Sequence, residues 1–108
     1  MQRGPRMAMT PEAKVKKVVV QQLKDMGAYY FYPVTGGYGA SGVPDIVGCY
    51  RGTFFGIECK AGKNKPTPLQ EKNLKHIAET GGVALVVNED NMKHVRDTLT
   101  KAVPDGIE

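Results

Sequence analysis

The sequence predicts one α/β domain with a central mixed sheet. Two Thr-Pro pairs, Thr10-Pro11 and Thr67-Pro68, each open an apolar run at helical spacing. Runs of β-branched and aromatic residues bounded by glycine supply four candidate strands. These segments interleave as helix, strand, strand, strand, helix, strand, helix, an order that calls for helices packed on a sheet. The length of 108 residues suits a single modest core.

Residues 1–9 are polar, basic and aperiodic, and read as a flexible basic arm ahead of a domain spanning 10–108. Thr10 caps the first helix, Pro11 begins it, and Val15, Val18, Val19, Leu23 and Met26 form its apolar stripe. Lys14, Lys16, Lys17 and Lys24 leave much of its remaining surface basic. Gly27 is placed to end it in a left-handed conformation. Tyr29 to Val34 is aromatic and β-branched, the first strand. Thr35 to Gly42 is a glycine-rich loop. It lacks a Gly-Lys-Ser/Thr ending and no helix follows, so it does not read as a nucleotide-binding loop.

Pro44 to Tyr50 and Thr53 to Lys60 read as strands joined by a hairpin at Arg51-Gly52. Ala61 to Pro66 is a basic loop. The second helix follows Thr67-Pro68, with Leu69, Leu74, Ile77 and Ala78 as its stripe, and Gly81-Gly82 breaks it. Val83 to Val87 is continuously apolar, as in a strand buried on both faces. Asp90 can cap the last helix, whose inward side is Met92, Val95, Leu99 and Ala102.

Composition narrows the class of partner. With 24% charged residues the chain is globular rather than disordered, and no apolar run approaches the ~20 residues that span a bilayer. The basic N-terminus has no apolar stretch after it, so it is not a secretory signal. The net charge of +4 fits a polyanion such as nucleic acid. Cys49 and Cys59 lack zinc-ligand spacing, and two cysteines make no disulfide framework. An intracellular location, cytoplasmic or nucleoid-associated, is expected. His76 and His94 have no partner at ligand spacing.

The hairpin concentrates the chemistry. If Arg51 and Gly52 are its two loop residues, Tyr50 pairs with Thr53 and Asp45 falls opposite Glu58. Directly opposed residues share a face, with β-carbons roughly 5 Å apart. Lys60, two residues beyond Glu58, joins them by the period of two. A bulge or a longer loop would turn Glu58 away. Opposed like charges destabilise a sheet, and a divalent cation offsets the repulsion. Hard carboxylate oxygens suit magnesium, which can hold a phosphate oxygen and activate a water.

Pro44-Asp45 followed by Glu58-Cys59-Lys60 resembles the PD-(D/E)xK signature of the restriction-endonuclease-like superfamily. More narrowly, Gly42-Val43-Pro44-Asp45, Ile57-Glu58-Cys59-Lys60-Ala61 and Thr67-Pro68-Leu69-Gln70 resemble the virus-type replication-repair nuclease (VRR-NUC) domain, from about Thr10 to Val87. The resemblance implies a restriction-endonuclease-like core that hydrolyses phosphodiester bonds in DNA with Mg2+, for which Mn2+ substitutes. It implies Asp45 and Glu58 as metal ligands, helped by the Cys59 backbone carbonyl, Lys60 as the catalytic lysine, and Gln70 supporting the site from the second helix. Glu12 matches a family glutamate that reaches the metal, although an acid in a first helical turn also serves the helix dipole. Minimal members resemble dimeric junction-resolving enzymes, which implies a homodimer acting on branched DNA.

Around this centre, Lys63 and Lys65 are candidate phosphate contacts or simply solvated lysines, and Tyr38 a base-stacking or packing residue. No membrane and no nucleotide cofactor are expected. The alternative is a non-catalytic DNA-binding module that keeps the fold; a sequence-specific restriction enzyme is a further rival.

Overall fold

A computed structural model describes residues 9–34 and 42–104; residues 1–8 of the expected arm, most of the glycine-rich loop with Tyr38, and 105–108 lie outside them. Helix α1 spans Pro11–Asp25, and the Thr10 hydroxyl accepts from the Ala13 N–H at 3.1 Å, satisfying one of the donors a helix start leaves open. Gly27, at φ 75°, turns the chain out of it. The buried face is Val15, Val19, Val20 and Leu23. Val20 was absent from the expected stripe, whereas Val18 and Met26 lie half-buried at its flanks.

Among the described residues four strands follow: β1 (Tyr29–Phe31), β2 (Ile46–Tyr50), β3 (Thr53–Cys59) and β4 (Val83–Val87), with α2 (Pro68–Glu79) between the last two. The sheet order is β1-β2-β3-β4. The first two pairings are antiparallel and the last parallel, so the sheet is mixed. The β2–β3 hairpin turns at Arg51 and Gly52, with φ of 49° and 85°. Two positive φ angles match the twist of the flanking strands, and they fix Tyr50 opposite Thr53 and Ile46 opposite Ile57.

Alternation divides the sheet into two faces. Ile46, Phe55, Ile57, Cys59 and Val87 form one core with α1 and with Val95 and Leu99 of α3 (Val95–Ala102). A side chain as buried as Leu23 or Phe55 contributes roughly 1.5–3 kcal/mol by leaving water. The other face carries Gly56 and Glu58 and is covered by α2. A β-carbon on Gly56 would lie 2.6 Å from the Ile77 side chain, so glycine lets this helix approach closely. The result is an α/β core compatible with the restriction-endonuclease-like fold, in the expected element order.

Five expectations are corrected. Val83 to Val87 is an edge strand, only Val87 is fully buried and Val86 is 39% exposed, so it is not buried on both faces. In α2, Leu74 is buried and Ile77 half-buried, but Leu69 is 51% exposed and Ala78 is exposed. Asp90 does not cap the last helix. Its N–H donates to the Asn88 side chain, Asn91 accepts from the Asn88 N–H, and a single 3-10 turn, Met92–His94, leads into α3. Ala102 is exposed at the end of that helix. The first strand also stops at Phe31, short of Val34.

Candidate active site

The period of two along β3 puts Glu58 and Lys60 on the α2 face, and the Lys60 Nζ lies 3.4 Å from Glu58 Oε2. The Lys60 N–H donates to the Val87 carbonyl at 2.9 Å, anchoring the lysine beside the end of β4. Both side chains are withdrawn from solvent, at 14% and 2% exposure.

Gln70 reaches the same carboxylate from the start of α2. It is the N3 residue of a capping box with Thr67: the Gln70 N–H donates to the Thr67 hydroxyl at 3.2 Å, and Gln70 Oε1 accepts from the Thr67 N–H at 2.8 Å. With the amide oxygen committed to the cap, the amide nitrogen is the atom left to face inward. It donates to Glu58 Oε2 at 2.9 Å. The local signal that starts the helix thus also sets the orientation of this side chain.

Asp45 enters from the bend ahead of β2. The regular ladder stops at Ile46 and Ile57. In place of a further pair, Asp45 Oδ2 accepts from the Cys59 N–H at 2.9 Å. The aspartate therefore sits at the expected end of the hairpin, held by backbone on the neighbouring strand. Gly42, at φ 90°, packs on the peptide between Leu69 and Gln70; a β-carbon there would lie 2.6 Å from the Leu69 carbonyl carbon and oxygen. The segment from Gly42 to Asp45 is in this way seated directly on the start of α2.

The electrostatics follow from burial. Among the described residues, Glu58 Oε1 is buried without a hydrogen-bond partner. Burial, then the Asp45 charge, push the Glu58 carboxyl up to about 7, against the pull of Lys60, while Glu12 adds a smaller push. Two carboxylates, an ammonium and an amide donor converge here. Among the described residues, no three His, Cys, Asp or Glu side chains form a metal-binding group. Glu12 stands in the first turn of α1, half-buried, and its charge is felt at Glu58.

The remaining candidates lie at the margin. Lys63 and Lys65 are exposed in the loop after β3. That loop is pinned by Glu89, whose carboxylate accepts from the Gly62 N–H at 3.0 Å. Nothing local in the sequence marks Glu89, because the contact joins segments 27 residues apart. The Cys59 thiol points into the α1 core, where burial and then Asp45 push it up to about 12; Cys49 and Cys59 are both free thiols. No helix among the described residues is long and apolar enough to cross a membrane.

No protein-family profile matches the chain. It is similar to a protein of Acyrthosiphon pisum secondary endosymbiont phage 1 that bears the name "Putative nuclease p44": the two are 27% identical over 90 residues, which cover 82% of this chain and 95% of that protein.

Proposed function

We propose that the chain is a divalent-cation-dependent deoxyribonuclease of the PD-(D/E)xK type, whose motifs resemble those of the VRR-NUC domain. The observation that carries this reading is Glu58 Oε1, a buried carboxylate oxygen without a partner, beside a second carboxylate and a lysine. Buried polar atoms are almost always satisfied, and an orphan at a cluster of like charge calls for a cation. The donors are hard oxygens, which fit Mg2+ or Mn2+. Asp45, Glu58 and the Cys59 carbonyl would hold it, with Glu12 reaching it through water. When bound, the cation offsets the carboxylate repulsion and supplies Lewis-acid polarisation of the scissile phosphate.

The chain's own groups divide the rest of the work. The Lys60 ammonium orients the attacking water and stabilises the negative charge that grows on the phosphoryl oxygens. Gln70 fixes the Glu58 carboxylate by donating to Oε2, so that Oε1 would be the oxygen available to a cation. The name of the similar phage protein supports a nuclease reading in general terms. Selectivity for branched or four-way-junction DNA, and a place in replication, recombination or repair inside the cell, belong to the same proposal. So does a homodimer, for which the exposed Tyr29 and Phe31 on edge strand β1 offer an apolar surface.

The experiment is a labelled panel of single-stranded, duplex, flap and four-way-junction DNA, incubated with and without Mg2+ or Mn2+. Cation-dependent cutting that disappears in Lys60→Ala is expected, with the branched substrates cut fastest. Binding without cutting under all of these conditions would instead assign a non-catalytic DNA-binding module.

A further inference from the structure

A groove of about 340 Å³ runs along the exposed side of α1, lined by Lys16, Lys17 and Lys24, with Met9, Val20 and Tyr32 as its apolar part. Among the described residues, no carboxylate lines it. Tyr32 is 49% exposed, and the Lys16 Nζ lies 5.9 Å from the centre of its ring. An isolated lysine on a helix is ordinary. Three lysines around a concave, partly aromatic floor form a surface complementary to an anion that also carries flat apolar groups.

The groove shares helix α1 with Glu12. Lys16 lies one turn after Glu12 on α1, and its charge reaches Cys59, where it opposes the rise of the thiol. From Lys17 to Lys24 the helix advances about 10 Å at its regular rise. That distance matches roughly two or three phosphates of a nucleic-acid strand. A duplex keeps its bases stacked inside and has no use for an aromatic floor, whereas an unpaired strand offers both phosphates and base faces.

We propose that this groove binds an unpaired DNA strand leading to or from the Asp45–Glu58 centre, with phosphates on Lys16, Lys17 and Lys24 and a base against Tyr32. The identity of the polymer rests on the nuclease reading. The substrate class is then DNA with a single-stranded segment beside the scissile bond, rather than continuous duplex.

The test is fluorescence anisotropy with the full chain in EDTA, using a labelled oligothymidylate and a blunt duplex of equal length over a range of salt. Lys17→Gln with Lys24→Gln changes two exposed residues outside the carboxylate cluster, and thermal melts check that each variant is folded. Each lost phosphate contact removes about 0.7 from the salt slope of single-strand binding, so the double variant should lower it by about 1.4. Tyr32→Ala should weaken oligothymidylate binding by about tenfold and leave the duplex unchanged, while Tyr32→Phe restores it. An unchanged salt slope, or losses that fall equally on the duplex, would overturn the assignment. The readout is separate from catalysis. A wild type that binds through the groove and never cuts removes the nuclease reading alone, whereas one that cuts with its slope unaltered in the double variant removes the groove alone.

Discussion

Glu58 is the one charged side chain among the described residues that folding takes wholly out of water, and this burial governs how the cation-free protein responds to pH. Its folded carboxyl titrates at about 7 instead of the ordinary 4.5. Between those values the folded chain keeps a proton that the unfolded chain has released. The contribution of this group to stability is therefore present in full below about pH 4.5 and is lost as pH rises to about 7, an effect on the order of 3 kcal/mol. Thermal melts in EDTA should show that fall, and Glu58→Gln, which carries no charge to bury, should flatten it and melt higher at alkaline pH. Millimolar Mg2+ should restore the wild type by binding the folded state. A wild-type profile as flat as the variant's would contradict the assigned burial. The cysteines give a simpler check. Cys59 is 0% exposed while Cys49 is half-buried. A thiol reagent should modify Cys49 in the folded chain and reach Cys59 only on unfolding; two equally fast thiols would argue against this packing.

Among the elements, those set by short-range chemistry were the legible ones. Thr10-Pro11 and Thr67-Pro68 both cap helices, and Arg51-Gly52 makes the two-residue turn that sets the hairpin register. Lateral position was not legible: a run such as Val83 to Val87 is equally apolar at the edge or the centre of a parallel sheet, and only the sheet order distinguishes them. Asp90 failed as a cap because the Asn91 side chain takes the Asn88 N–H and the Asn88 side chain takes the N–H of Asp90 itself. The seat of Gly42 on α2 was likewise invisible, since it joins segments distant in sequence. Gly42→Ala tests it. The added carbon meets the Leu69 backbone and strains a positive φ, which should cost about 1–3 kcal/mol in a denaturant melt. Because the clash lies beside the Gln70 N–H, cleavage by the folded variant should fall well beyond that loss of stability. Unimpaired cleavage would show that α2 does not position Gln70 for the reaction.

Across the whole molecule, the sheet separates two tasks. One face and α1 build the apolar core, while the α2 face holds Glu58, Lys60 and Gln70. The sequence pointed to Asp45, Glu58 and Lys60 through hairpin register, and to Gln70 through its motif. It could not foretell that Glu58 is buried with one oxygen unpartnered, because burial depends on how closely α2 packs over Gly56. Nor could it reveal the groove on α1, which exists only once Tyr32 folds back toward Lys16. The most direct measurement is cleavage of a supercoiled plasmid in Mg2+ by the wild type and by Glu58→Gln, each shown to be folded. Nicking or linearisation by the wild type, none by the more stable variant, and none by either in EDTA is the predicted result. No cutting by the wild type in Mg2+ or Mn2+, or equal cutting by the variant, would contradict the assignment of this cluster as a cation-dependent nuclease centre.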